Sequence, residues 1–596
     1  MKGPKATDLP KETLASQDGP DVDIRNVSYR YPGSKGQALK DITLRVNRGE
    51  LVLITGASGA GKTTLLCMLN GMVPQSYGGD FSGSAFVKGY DTTKVPVGRL
   101  AFVSGMLFQD PAGQLICPTV EDEVAFGPEN RGLPVDKVNS LIDECLDYVR
   151  MSGYRDKSPH ALSGGQQQAV AIASVLAMEP DIYVLDEPTS NLDPLGSQMV
   201  FDLIGRVVRD KQKTAVIVEH KLEKLLGIAD RLVIMADGQI VADGQPREVL
   251  LSLSAKQDSG IYPPQVTELF WKLQEAGLLE VTEAPFTVDE AAKVLSPSVQ
   301  SWRTAESGKD LEEGKVEEEG AGETVVEVED LEFAYPDGTK AIKGVDLKVH
   351  KGEFVSIVGQ NGSGKTTLVK HLNGLLRPTR GTIRIMGEDA AKYPISVLAT
   401  KVGYCFQNPD HQIFSSKVFD ELAFGLKNLK RSKEEIQTTV EMVAERLGLL
   451  DLLDHNPHTL SKGQRQRIAV AAVLAMGPDI MIVDEPTTGQ DPRQSRQMMD
   501  LMRLLNEEHG KTIIVITHDM ALAAEYSHRL VVMHAGRVIL DGVPAEVFRQ
   551  EEVLRSTNLE PPQITQLFLK LGIEPVAVTV DEAFMRLSGV LKEVLA

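Results

Sequence analysis

Short apolar runs with glycine-rich or acidic ends recur along the chain. Glu50–Thr55 (ELVLIT), Asp181–Leu185 (DIYVL) and Thr214–Val218 (TAVIV) form one set. Glu353–Val358 (EFVSIV), Ile480–Val483 and Thr512–Ile516 form a second. Stretches of helical character separate them. Continuous β-branched runs between helices predict strands buried on both faces, hence a parallel α/β core. Near each domain start the pattern alternates instead, as in VDIRNVSYRY and DITLRV, which predicts an added antiparallel layer. Further on, Val266, Leu269, Phe270 and Leu273 follow an i, i+3, i+4, i+7 spacing, one apolar face of a helix. That face packs on its own domain or meets a partner.

The pattern is written twice. LSGGQQQAVAIASVLAMEPDIYVLDEPT (Leu162–Thr189) reappears as LSKGQRQRIAVAAVLAMGPDIMIVDEPT (Leu460–Thr487), 298 residues later, and PPQVTELFWKL from Pro263 reappears as PPQITQLFLKL from Pro561. Such repetition overrides a domain count made from length. It predicts two homologous domains, 22–255 and 324–555, with helical tails 256–302 and 556–596. Residues 1–21 read as a flexible N-terminus. Residues 303–323, rich in Glu and broken by Gly, read as an acidic linker, because such a segment buries too little apolar surface to offset its ordering entropy.

Composition narrows the function classes. Of 596 residues, 42% are hydrophobic and 24% charged, and the net charge is −20. That is an ordinary globular balance with a surface that repels nucleic acid and anionic lipid. No apolar run is long enough to span a bilayer, and the start carries no secretory signal. Cys67, Cys117, Cys145 and Cys405 show neither a CxxC pair nor metal-ligand spacing, as expected in a reducing compartment.

The chemistry lies at the strand ends. Gly56–Thr64 (GASGAGKTT) and Gly359–Thr367 (GQNGSGKTT) each follow an apolar strand and open a helix. This is the phosphate-loop pattern: glycines let successive backbone N–H groups turn toward phosphate oxygens, and the helix N-terminus adds partial positive charge. Gly56, Ser58, Gly59, Gly61, Lys62, Thr63 and Thr64, with Gly359, Asn361, Gly362, Gly364, Lys365, Thr366 and Thr367, are the expected ATP contacts. Lys62 and Lys365 reach the β- and γ-phosphates, and Thr63 and Thr366 offer hydroxyls to Mg²⁺. Asp186 and Asp484 end buried strands and are the expected Mg²⁺ carboxylates; the adjacent Glu187 and Glu485 are placed to polarise an attacking water. His220 and His518 also end strands and are expected at the γ-phosphate. Tyr31 and Tyr335 are placed to stack on adenine.

In this order, these residues resemble the nucleotide-binding domain of ATP-binding-cassette (ABC) proteins over nearly the whole chain, twice. The resemblance implies two P-loop ATPase domains, each with a helical signature subdomain. It places the signature at LSGGQ (Leu162–Gln166) and LSKGQ (Leu460–Gln464), so that Ser163, Gly165, Gln166, Ser461, Gly463 and Gln464 contact ATP held by the opposite domain. It gives Gln109 and Gln407 a catalytic and Mg²⁺-contacting role, and puts the D-loops at Ser190–Asp193 and Thr488–Asp491. The segments Phe108–Leu133 and Phe406–Leu426 and the VEH at Val218–His220 are similar to the ATPases of energy-coupling-factor (ECF) transporters, which import vitamins and transition-metal ions. That likeness implies a peripheral place on the cytoplasmic face of the membrane, a transmembrane coupling subunit and a small substrate-binding membrane subunit as partners, docking in grooves beside Gln109 and Gln407, and an intramolecular pseudo-dimer of the two cassettes.

The copies differ. Lys462 replaces the first signature glycine, Ala169 stands opposite Arg467, and Gly489–Gln490 replace Asn191–Leu192. Both Glu187 and Glu485 remain, so two hydrolytic sites of unequal rate are expected. The alternative is a soluble twin-cassette ATPase acting on ribosomes or nucleic acid, which the acidic charge disfavours.

Overall fold

A computed structural model describes residues 19–190, 192, 194–210, 212–253, 261–280, 283–306, 322–488 and 490–595. The chain divides into two units, Met1–Thr287 and Val288–Ala596.

The first unit is built on a six-stranded sheet in the order Gln239–Gly244, Arg231–Ala236, Leu51–Thr55, Thr214–Val218, Ile182–Asp186, Ser104–Leu107. All neighbours pair in parallel except Gln239–Gly244, which is antiparallel to its neighbour. Each of the three central strands is buried along its whole length. The physical reason is that both faces are covered. Leu51 and Leu53 enter a core shared with the helices, whereas Val52 and Ile54 enter a core shared with the antiparallel layer. That layer has four strands, Leu39–Val46, Val22–Arg30, Asp80–Val87 and Tyr90–Asp91.

The second unit repeats this plan. Its six-stranded sheet runs Val402–Cys405, Ile480–Asp484, Thr512–Thr517, Phe354–Gly359, Arg529–His534, Arg537–Gly542, and a four-stranded antiparallel sheet accompanies it. The α/β architecture expected from the apolar runs is the one observed, twice. Three helices of each unit pack together: Val120–Asn130, Val135–Tyr148 and Gly164–Ala177 in the first, and Val418–Asn428, Lys433–Arg446 and Lys462–Ala475 in the second.

Val266, Leu269, Phe270 and Leu273 are buried on helix Gln265–Glu275, as are Ile564, Leu567, Phe568 and Leu571 on helix Gln563–Leu571. The last part of the expected first tail groups with the second unit. Helix Val288–Glu306 packs against Gln563–Leu571 and Val580–Leu595, burying Ala291, Leu295 and Val299, and Lys570 pairs with Asp289. Within the segment expected as linker, 303–306 close this helix, 322–323 lead into strand Thr324–Ala334, and 307–321 lie outside the described residues, as do 1–18 of the expected N-terminus.

Candidate functional site

The phosphate loops take a shape that only glycine permits. Gly56 has φ 144°, and a Cβ there would lie 2.0 Å from the Met235 carbonyl oxygen; Gly61 has φ 96°, and its Cβ would lie 2.5 Å from that of Ala38. Gly359 and Gly364 meet Met533 and Ala341 in the same way. Ser58, Gly59, Asn361 and Gly362 form the exposed crests of the loops. Lys62 Nζ donates to the carbonyls of Gly56 (2.7 Å) and Ala57 (2.9 Å), and Lys365 Nζ to those of Gly359 and Gln360 (both 2.8 Å). Tyr31 and Tyr335 are tied to the helices after the loops by hydroxyl contacts with Thr64 (3.1 Å) and Thr367 (3.0 Å).

The strand ends bring the expected carboxylates to these loops. Thr63 Oγ1 donates to Asp186 Oδ2 at 2.7 Å, and Thr366 Oγ1 to Asp484 at 3.4 Å. Burial pushes the Asp186 carboxyl up to about 6, against the opposing Thr63 bond. Burial also raises Asp484. Asp186 Oδ1 is buried with no hydrogen-bond partner among the described residues. Such an orphaned carboxylate oxygen beside a threonine hydroxyl fits a hard cation that takes few protein ligands and fills its shell with phosphate oxygens and water. Among the described residues no group of three His, Cys, Asp or Glu is arranged to hold a metal by itself.

Glu187 and Glu485 follow in the left-handed region, at φ 47° and 46°. Glu187 accepts from Gln109 Nε2 at 2.8 Å and lies 3.2 Å from His220 Nε2. Glu485 accepts from Gln407 Nε2 and Thr488 Oγ1, both at 2.9 Å, and lies 3.6 Å from His518 Nδ1. Burial works against the charged form of Glu485, but the His518 contact and Lys365 outweigh it and hold the carboxyl down at about 2. Each unit therefore gathers its phosphate loop, two carboxylates, a glutamine and a histidine.

The signature residues begin a different helix of each unit. Ser163 caps Gly164–Ala177 and Ser461 caps Lys462–Ala475, each in a capping box with Gln166 or Gln464. The S-x-x-Q spacing thus has a local cause, reciprocal satisfaction of helix-end N–H groups; Gly165 and Gly463 lie in the first turn. In the D-loops, Asn191, Asp193 and Gly489 lie outside the described residues, and Asp491 caps helix Pro492–Glu507.

Two contacts escaped the sequence reading, one of them made by Glu219 of the VEH run. Tyr404 donates from its hydroxyl to Asp484 Oδ2 at 2.7 Å; Met106 holds the matching position in the first unit. Glu219 is buried beside His220. The available signal was a polar residue inside or at the end of a fully apolar strand, which names no partner by itself.

The class these features define is a pair of phosphate-loop ATPase domains, and comparison with known proteins agrees. The sequence pattern of the ABC transporter family matches residues 39–190 and 342–488. A protein of Caldanaerobacter subterraneus subsp. tengcongensis is 40% identical over 565 residues, 93% of this chain and 96% of its own length. One of Methanosarcina mazei is 40% identical over 596 residues, 98% and 99% of the respective chains. Both are described as "Putative ABC transporter ATP-binding protein". A solved structure of cbiO1 from Clostridium perfringens, described as part of the ABC transporter complex cbiONQ, is 40% identical and covers 41% of this chain and 99% of its own, with a TM-score of 0.37. The chain belongs to the ABC transporter family, with two ABC ATPase domains in tandem. It is an ATP-binding protein and an ATPase. Among the described residues no helix is long and apolar enough to cross a membrane.

Proposed function

We propose that this chain is the ATP-hydrolysing subunit of an ECF-type importer, driving uptake of a vitamin or transition-metal ion through membrane subunits. The observation that carries this reading is an apolar pair exposed at matching places in both units. Ile116 and Phe126 are 67% and 50% exposed, and Phe414 and Phe424 are 61% and 45% exposed. Phe414 and Phe424 meet edge to face, 4.6 Å between centroids. These residues follow Gln109 and Gln407, and a buried glutamate fixes each loop. Glu123 accepts from the N–H groups of Ile116 and Cys117, both at 2.8 Å, and Glu421 accepts from those of Phe414 (3.2 Å) and Ser415 (2.8 Å). Large side chains held outward by a satisfied clamp suit docking of an apolar helix better than solvent.

In this reading Lys62 and Lys365 bind the β- and γ-phosphates, Tyr31 and Tyr335 carry the adenine, and Thr63, Gln109 and Asp186, or Thr366, Gln407 and Asp484, hold Mg²⁺. Bound Mg²⁺ supplies charge neutralisation at the phosphate oxygens. Glu187 and Glu485 orient and polarise the attacking water, and His220 and His518 contact the γ-phosphate. Ser163, Gly165 and Gln166, with Ser461, Gly463 and Gln464, complete the opposite cassette's site. ATP binding then favours the paired cassettes, hydrolysis releases them, and the membrane subunits convert that cycle into transport.

Changing Ile116 and Phe414 together to Asp is expected to abolish co-purification of the membrane subunits while ATP affinity stays within about twofold. Undiminished capture of those subunits by the variant overturns the docking role of Ile116 and Phe414, whereas recovery of ribosomes in place of membrane subunits by the unaltered chain overturns the importer reading and favours the soluble twin-cassette alternative.

The Tyr404 contact yields a separate expectation. Tyr404→Phe removes a hydrogen bond that orients the second unit's Mg²⁺ carboxylate. With the first site silenced by Glu187→Gln, it is expected to raise the Mg²⁺ needed for half-maximal hydrolysis roughly 10-fold, the usual effect of losing such an outer partner. A titration of turnover against Mg²⁺ checks it.

A further inference from the structure

Glu219 is 3% exposed and directly follows the strand Thr214–Val218. One oxygen accepts from the backbone N–H groups of His220 (2.9 Å) and Lys221 (3.3 Å), and the other accepts from Thr189 Oγ1 at 2.7 Å. Thr189 lies two residues after Glu187, on the turn that leaves the neighbouring strand Ile182–Asp186. A single buried carboxyl therefore joins the loop carrying His220 to the turn carrying Glu187.

The second unit lacks this bridge. Thr517 holds the matching position, and its hydroxyl accepts from the N–H of Asp519 (3.0 Å), inside its own loop. Asp519 in turn caps the helix Met520–Tyr526. There the turn is tied to its glutamate directly, by Thr488 Oγ1 on Glu485. In the first unit the matching Ser190 Oγ is buried without a hydrogen-bond partner among the described residues. The two units thus hold similar carboxylate–histidine pairs by different means.

We propose that Glu219 is a positioning residue for ATP hydrolysis at the first site, holding Glu187 and His220 in register through Thr189 and the His220–Lys221 backbone. The proposal rests on the reading that Glu187 polarises the attacking water and His220 contacts the γ-phosphate. Fixed geometry is what such a pair needs, since misplacement by about 1 Å can cost about 100-fold in rate. Burial, with the Glu187 charge nearby, pushes the Glu219 carboxyl above its ordinary range. Glutamine is a fair geometric substitute: its carbonyl can still accept from the two N–H groups and its amide can donate to Thr189 Oγ1. Threonine, the residue of the second copy, is too short to bridge.

The test is steady-state ATP hydrolysis by the full chain in two backgrounds, Glu485→Gln and Glu187→Gln, each leaving one site working. In the Glu485→Gln background, Glu219→Thr is expected to lower kcat about 10- to 100-fold with KM for ATP changed less than about twofold, and Glu219→Gln to return kcat to within about threefold of its parent. In the Glu187→Gln background, Glu219→Thr is expected to leave kcat within about twofold, which also shows that the chain still folds. Full activity of Glu219→Thr in the first background overturns the proposal. So does an equal fall in both backgrounds, which marks a general structural defect, or a failure of Glu219→Gln to recover the rate. Undiminished turnover of the Glu187→Gln, Glu485→Gln double variant instead overturns the underlying assignment of Glu187, and the role of Glu219 with it.

Discussion

Replacing Glu187 and Glu485 together by glutamine is expected to lower ATP turnover by about 10²–10⁴-fold while ATP binding persists. Glutamine keeps a carbonyl oxygen for Gln109 or Gln407 and nearly the same volume. What it loses is the negative charge proposed to polarise the attacking water. Both glutamates sit in the left-handed backbone region, a cost of about 1 kcal/mol or more that persists only where the surroundings impose it. The turns do so by aiming each carboxylate back at a glutamine and a histidine. The single variants are expected to differ. Glu485 has an additional donor in Thr488, and Glu187 depends on the Glu219 bridge. Coupled-assay turnover and nucleotide-binding titrations on the two single variants and the double variant check this. Equal residual rates in the two single variants count against inequivalent sites.

Asp186→Asn is expected to abolish hydrolysis at the first site and yet to stabilise the nucleotide-free first unit at pH 8. The carboxyl goes from an ordinary value of 3.8 to about 6 on folding because it is buried. A raised acid binds its proton more tightly in the folded state, so its contribution is most favourable below about pH 3.8. Stability is then lost as pH rises through about 6. The cost at pH 8 is on the order of 3 kcal/mol. Asparagine removes that charge and keeps the Thr63 bond, but leaves an amide at the orphaned Oδ1 position, worth about 1 kcal/mol the other way. A net gain on the order of 2 kcal/mol should appear as a rise of several degrees in the first transition. The gain should fade toward pH 5, where the wild-type acid is largely protonated. Calorimetry without nucleotide at the two pH values decides it, and a lower transition temperature at pH 8 contradicts it. The same linkage predicts that Mg²⁺ competes with the proton at Asp186 as pH falls below about 6.

These two results would expose one trade. In the proposed reading, a group held at a cost in the empty protein, with one oxygen unsatisfied, is there for the cation it binds.

Much of this was legible along the chain. The runs ELVLIT and TAVIV announced strands covered on both sides because Leu51–Ile54 and Ala215–Val218 are apolar without a break, and the structure divides alternate residues between two cores. Glycine at 56 and 61, followed by Lys62 and Thr63, announced the phosphate loop because few other residues can adopt that backbone. The tail was less legible. The face of Val266, Leu269, Phe270 and Leu273 was evident, but an apolar stripe does not name its partner, and helix Val288–Glu306 lies with the second unit's tail helices.

By itself the sequence determined the doubling of the domain, the α/β class and the residue types at each strand end, since these follow from periodicity, repetition and backbone permission. Only the tertiary structure decided which side chains satisfy one another. Tyr404 reaches Asp484 across neighbouring strands, and Glu219 reaches Thr189 from 30 residues away. Hydrogen bonds act over about 3 Å in space, and that proximity is created by sheet order and register, which no local stretch of the chain encodes.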